Sequence, residues 1–210
     1  MASRARALTI TALAVAGLGG PLVWRLTRFE RAEEWAIGGG GVALYVSWMA
    51  WESRVSVAEL GKEEANLDGG SMELAATAKV LLLLGALLGG GVTALWPGLL
   101  GIALLVLGIA IRAAGVVTLG EHYSHRIRIP SEVVERGIYG WIRHPAYVGT
   151  LIAHAGIPLV FMNPWAAGAW TLAWLPAVVY RTVLEDRALR ADPDYADYAQ
   201  RVKRWIPGVW

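Results

Sequence analysis

Hydrophobic positions along this chain gather into six long runs, separated by polar stretches or by breaks rich in glycine and proline. The runs cover approximately Ala7–Leu26, Trp35–Trp51, Leu74–Trp96, Pro97–Leu119, Pro145–Met162 and Trp165–Leu184. Each is near the roughly 20 residues a helix needs to cross the hydrocarbon core of a bilayer. The pattern predicts an all-α, polytopic integral membrane protein with about six transmembrane helices, five being the smaller count. Trp96-Pro97-Gly98 and Asn163-Pro164-Trp165 read as tight turns, pairing spans three with four and five with six as helical hairpins. The second run is short and carries Gly38 to Gly41, which predicts close packing or an irregular helix there. The polar stretch Glu52–Glu73, net acidic and broken at Gly69-Gly70, reads as a solvated connector.

Positive charge orients the spans. Both tight turns lack Lys and Arg, whereas Arg126, Arg128, Arg136 and Arg143 follow span four and Arg187, Arg190, Arg201, Lys203 and Arg204 follow span six. The positive-inside rule puts these segments and the C-terminus in the cytoplasm. Six spans then put the N-terminus there too, in agreement with Arg4 and Arg6. Arg25, Arg28 and Arg31, in the loop assigned outside, run against the rule. The first run reaches Leu26 without a small-x-small cleavage site and reads as a retained anchor. Together these readings describe one membrane domain over residues 1–210. Residues 1–96 supply three spans for scaffold and substrate access, and 97–210 a catalytic half.

Composition narrows the function classes. Hydrophobic residues make up 56% and charged residues 17%, with eleven Trp against two Phe, a bias that suits the membrane–water interface. Mean hydropathy is +0.45. A net charge of +2, with no basic stripe, gives no case for nucleic acid. Zero cysteines exclude disulfides, thiolate metal sites and cysteine nucleophiles. Four histidines without a paired ligand spacing predict no metal site.

The densest chemistry lies in Gly137–Gly149, where Tyr139, Arg143, His144 and Tyr147 surround Pro145 at the mouth of span five. Proline disfavours helix at His144 and can itself begin one, so the cluster belongs on the turn that opens the span. A second polar region runs from Arg181 through Glu185 and Asp186 to a tail with Tyr195 and Tyr198. Arg181 and Glu185, four apart, have the spacing of a helical ion pair. Arg112 falls inside a span and needs a partner, either Glu185 or an anion of a bound molecule. His154 is mid-span and fits packing with one satisfied hydrogen bond better than catalysis. Asp192-Pro193-Asp194 reads as a helix stop and cap, and Tyr195 and Tyr198 as residues sealing the tail against the membrane surface.

Arg143-His144-Pro145-x-Tyr147, preceded by Gly137-x-Tyr139, resembles the signature of the integral-membrane methyltransferases. That group includes isoprenylcysteine carboxyl methyltransferases and phospholipid N-methyltransferases. The resemblance extends to Arg112, His125, Glu185-Asp186, Tyr195-x-x-Tyr198 and the Ile206-Pro207-Gly208 ending. The chain departs from the pattern at Gly140, around Ala191–Tyr195 and at Asp186, where the family usually has a second glutamate. The resemblance implies S-adenosylmethionine as methyl donor, in a cytoplasm-facing pocket of the last hairpin and tail. It implies a cofactor site at His125, Tyr139, Arg143, His144, Tyr147, Glu185 and Tyr198. Arg143, Glu185 and His144 are the catalytic candidates, and Arg112 and His154 the substrate-binding ones.

A carboxylate acceptor needs only desolvation and alignment, whereas an amine must also lose a proton, to His144 or Glu185. The sequence leaves both open. The expected partners are membrane lipids and a lipophilic or prenylated substrate, with no nucleic acid. Two other readings stand beside this one. Membrane-embedded sterol-type reductases, which use NADPH, share an Arg-His-Pro-x-Tyr element, and a non-enzymatic lipid-binding protein could keep the same fold.

Overall fold

The computed structural model describes residues 17–58, 67–90, 93–129 and 132–209. The first half of the first apolar run, Arg4, Arg6 and residues 59–66 of the polar connector lie outside them. The described residues build helices, with only an isolated parallel bridge between Ile142 and Lys203. Residues 17–26 are helical (α1), and a π-helical turn, Glu34–Gly39, leads into α2, Gly40–Ala58. Helices α3, Ser71–Leu88, and α4, Leu95–Leu119, follow, then α5, Pro145–Val160. A final long helix consists of α6, Pro164–Ala169, a π segment Trp170–Trp174, and α7, Leu175–Leu189, before the short α8, Pro193–Arg201. Among the described residues, two segments, Ser71–Leu88 and Leu95–His122, are long and apolar enough to cross a membrane, and Pro145–Val160 is a shorter apolar helix.

Local chemistry explains most boundaries. Pro145 and Pro164 open α5 and α6, where a missing N–H costs nothing. Asn163 caps α6, its side chain accepting from the N–H groups of Trp165 (2.9 Å) and Ala166 (3.2 Å), so the expected turn is present. Asp192 caps α8 in the same way, which bears out its reading as a stop and cap. The Trp96-Pro97-Gly98 turn is corrected. Helix α3 ends at Leu88 and α4 already begins at Leu95, so Pro97 sits in the first helical turn, where no N–H donor is required. The irregularity expected at Gly38 to Gly41 is the π turn, and Gly38 lies under the Phe29 ring, where a β-carbon would come within 2.6 Å.

The tightest contact in the bundle is between α4 and α5. Glycines recur every seventh residue on both helices, at Gly101, Gly108 and Gly115 and at Gly149 and Gly156. A β-carbon on Gly108 would stand 2.2 Å from the Ala153 nitrogen, and one on Gly149 would stand 2.4 Å from the Arg112 nitrogen. Bare backbones touching in this way are how helices associate where lipid removes the hydrophobic drive between them. The contact fixes Arg112 against the first turns of α5.

The loop after α1 lies at the end of the bundle opposite Arg143. Arg31 donates to the Thr93 carbonyl (3.1 Å), and Arg25 stands 5.2 Å over the Phe161 ring. Arg28 lies over Trp24. These cations are engaged by rings and carbonyls, which accounts for their presence where the charge rule expects none.

Candidate active site

Buried polar side chains collect at one end of the bundle, where α2, α4 and α7 finish and α3 and α5 begin. Arg112 is held there by Glu52 of α2: Nη2 donates to Glu52 Oε2 at 2.7 Å and Nε to Oε1 at 2.5 Å. Its remaining donors reach Thr150 Oγ1 (3.0 Å) and the Tyr123 hydroxyl (3.0 Å), and Trp48 Nε1 donates to Glu52 at 3.1 Å. The partner that Arg112 requires is therefore Glu52, not Glu185. Glu52 is buried, which corrects its assignment to a solvated connector.

Asp68 from the same connector is also buried. It accepts from Arg181 Nη1 (2.9 Å) and from the Ile127 N–H (3.2 Å). Arg181 donates further to Ser71 Oγ (2.9 Å) and to the His125 carbonyl. The Arg181–Glu185 ion pair that their spacing allowed is not made; the Arg181 guanidinium is held by Asp68 and Ser71 instead. His125 packs edge-on against Tyr123, with ring centroids 5.2 Å apart, and its Nε2 lies 3.9 Å from Glu52. Burial raises the Tyr123 phenol to about 12, so it serves as a hydroxyl donor at neutral pH.

The Gly137–Gly149 stretch forms a second cluster around Asp186. Gly137, with φ +59°, opens a 3₁₀ turn, Gly137–Gly140, and His144 keeps a non-helical backbone, φ −125° and ψ 56°, before Pro145. Arg143 Nη2 lies 2.9 Å from Asp186 Oδ1, and Nη1 donates to the carbonyls of Ala199 (2.7 Å) and Val202 (2.5 Å). Asp186 is also reached by His144 Nε2 (3.4 Å), the Tyr195 hydroxyl (3.2 Å), Arg190 (3.1 Å) and Arg204 (2.9 Å). Burial pushes the Asp186 carboxyl up, but the bonds from His144 and Arg190 and the neighbouring positive charges overcome it and hold the group well below the usual range. The backbone completes the join, with Arg143 N–H donating to Lys203 (2.9 Å) and His144 N–H to Arg204 (3.1 Å).

Arg143 and His144 thus tie the tail to α7 and the loop. Tyr198 donates to the Tyr139 carbonyl (2.6 Å), and Tyr195 stacks edge-on against it at 5.6 Å. Both tyrosines seal the tail against the protein rather than against the membrane surface, and burial raises both phenols, as it does that of Tyr139.

Between these clusters the half-buried Glu185 carboxylate accepts from the Tyr147 hydroxyl. Glu185 also lies within electrostatic reach of Tyr123 and Tyr139, so three tyrosines stand near this carboxylate. His154 lies deeper. Its Nδ1 meets the Thr150 carbonyl (2.8 Å) and its Nε2 the Tyr45 hydroxyl (3.2 Å), with Trp174 4.7 Å away. Both ring nitrogens have partners, the arrangement of a packed histidine. The structure brings Arg112, His125, Tyr139, Tyr147 and Glu185 around one region, and turns Arg143, His144 and Tyr198 toward the tail. No cluster of metal-binding side chains occurs among the described residues.

Sequence reasoning passed over Glu52 and Asp68. The signal was indirect: an arginine inside a span needs an acid at its own depth, and Glu52 borders the end of the second run.

Known proteins resemble this chain in sequence and in fold. Residues 100–191 match the sequence model of the isoprenylcysteine carboxyl methyltransferase (ICMT) family. A protein-S-isoprenylcysteine O-methyltransferase of Tribolium castaneum is 30% identical over 120 residues, which are 54% of this chain and 43% of that protein. Protein-S-isoprenylcysteine O-methyltransferase B of Arabidopsis thaliana is 31% identical over 120 residues, 54% of this chain and 61% of that one. The chain thus spans about half the length of these curated relatives. A solved structure of the eukaryotic intramembrane Ras methyltransferase ICMT superposes with a TM-score of 0.62 at 23% identity, covering 94% of this chain and 76% of the other. At that identity the superposition establishes the fold. The matches bear out the resemblance to the integral-membrane methyltransferases.

Proposed function

We propose that this protein transfers a methyl group from S-adenosylmethionine to a carboxylate or amine of a lipophilic, prenylated or lipid-like substrate within the membrane. One observation carries the reading: the half-buried Glu185 carboxylate, oriented by Tyr147, lies where the last hairpin meets the Arg-His-Pro turn. A donor whose amino-acid end and sulfonium together are net positive fits an acidic group edged by aromatic rings. Glu185 takes the donor's ammonium or ribose hydroxyls. Tyr139 and Tyr147 lie against its adenine or sulfonium, and His125 closes the same wall. S-adenosylmethionine supplies an electrophilic methyl carbon on a sulfonium.

Arg143 and His144 act as positioning residues in this proposal. Their bonds to Asp186 and the tail hold α8 over the pocket and limit water. The tail and pocket face the cytoplasm, and the acceptor enters sideways from the bilayer. A greasy acceptor and a charged donor thereby reach one site from different solvents.

The test is binding to the purified protein. Micromolar affinity for S-adenosylhomocysteine, lost in Glu185→Ala, is the expected result. Micromolar binding of NADPH with none of S-adenosylhomocysteine would overturn the reading in favour of a reductase.

A further inference from the structure

Beyond α8 the chain closes on a built turn. Trp205 packs against the main apolar core of the bundle, which fixes this segment to the protein. The Val209 N–H then donates to the Ile206 carbonyl at 3.0 Å, and Gly208 between them has φ +75°. Pro207 and Gly208 are the residues a type II turn prefers at its two central positions. The turn leaves Ile206 and Val209 with 54% and 71% of their surface exposed, although both are apolar.

A third exposed apolar side chain belongs to the segment paired with this one. Ile142 bridges to Lys203, the Arg143 N–H donates to the Lys203 carbonyl (2.9 Å), and the His144 N–H donates to the Arg204 carbonyl (3.1 Å). Trp141 stands one residue before that bridge and is 71% exposed. It also lies four residues before Pro145, where the apolar helix α5 begins, a position at which indole rings collect on a membrane surface. Two segments joined through their backbones thus carry Trp141, Ile206 and Val209 at the end of the bundle.

Charge near the turn has one sign. Residues 198–210 hold Arg201, Lys203 and Arg204 and no acid. Lys203 is exposed, as is Arg187 in the last turn of α7. Arg190 and Arg204 share the single carboxylate of Asp186 with Arg143, and Arg201 reaches Glu135 (2.9 Å). The acids nearest in sequence are Asp192, used as the cap of α8, and Asp194 and Asp197 on its exposed face. Exposed indole and aliphatic side chains beside cations, where apolar helices end, match the headgroup layer of a bilayer.

We propose that the edge formed by Trp141 and the Ile206–Val209 turn is a docking surface for anionic phospholipid headgroups. The three apolar side chains enter the interface, while Arg187 and Lys203 meet the lipid phosphates.

The chain has no cysteine, so Val209→Cys gives one labelling site for an environment-sensitive fluorophore. The labelled full chain is placed in nanodiscs of phosphatidylcholine alone or with about one-third phosphatidylglycerol, each holding a headgroup-spin-labelled phosphatidylcholine as quencher. Quenching should be about twofold stronger in the anionic nanodiscs and fall to the neutral level in about 1 M salt, where charge is screened. Arg187→Gln combined with Lys203→Gln should remove the difference between the lipids. Trp141→Ala combined with Ile206→Ser should weaken quenching in both. Arg28→Gln, a charge change at the opposite end of the bundle, should leave the difference intact. Equal quenching of the parent label in neutral and anionic nanodiscs overturns the proposal. So does a difference that survives Arg187→Gln with Lys203→Gln, or one that Arg28→Gln removes, since either would trace it to charge elsewhere.

Discussion

Arg143 and Asp186 stand 43 residues apart in sequence, yet meet through two guanidinium nitrogens with 3% and 0% of their side chains exposed. The same guanidinium donates to Ala199 and Val202, so one side chain joins the Arg-His-Pro turn, the last long helix and the tail. Planar, multidentate donation of this kind is available to arginine and not to lysine.

Removing the carboxylate should therefore release the tail before anything else. Asp186→Ala strands the buried Arg143 and should cost about 3–5 kcal/mol, the usual penalty for breaking a buried pair. Trypsin is the direct check, since Arg201, Lys203 and Arg204 lie in the segment freed. Cleavage there should accelerate in Asp186→Ala and, to a smaller extent, in Arg143→Lys. An unchanged digestion rate in Asp186→Ala would separate the pair from tail docking.

The pH dependence of that contribution has a definite sign. The native Asp186 carboxyl lies below the ordinary unfolded value of about 3.9, so its stabilisation is fully present above that pH. It fades only as pH falls toward the native value. The stability gap between wild type and Asp186→Asn should hold constant from neutral pH to about 4.5 and narrow at lower pH. Thermal melts in detergent across this range test it.

Glu52 and Arg112 form an equally buried unit, linking α2 to the α4–α5 pair. Glu52→Ala alone leaves an uncompensated arginine and should destabilise by about 3–5 kcal/mol. Glu52→Ala combined with Arg112→Met should lose less than the sum of the single variants. A double-mutant cycle that returns strict additivity would mean the pair carries no coupling.

Close helix contact makes a sharper contrast. Gly108→Ala places a methyl against the Ala153 and Gly149 backbones, and should lower the melting temperature and the yield of folded protein. Gly168, in α6, has open space beside it. Gly168→Ala should be neutral, or stabilising by about 0.5–1 kcal/mol through reduced backbone freedom. Equal effects at the two sites would argue against backbone contact between α4 and α5.

The sequence by itself determined the helical class, the proline-led start of α5, the Asn163 turn and the Asp192 cap. These depend on hydrophobic runs and on residues acting within a few positions of themselves. The motif Arg143-His144-Pro145-x-Tyr147 likewise marked the end of the bundle where the buried polar clusters gather. Tertiary structure alone decided the pairings. Which acid meets Arg112, which meets Arg181, and that Arg143 faces the tail are questions of distance between helices, set by how closely glycines let α4 and α5 approach. Charge attraction carries no sequence address, so Glu52 and Asp68 looked like solvent-facing acids until the packed bundle brought buried arginines to them.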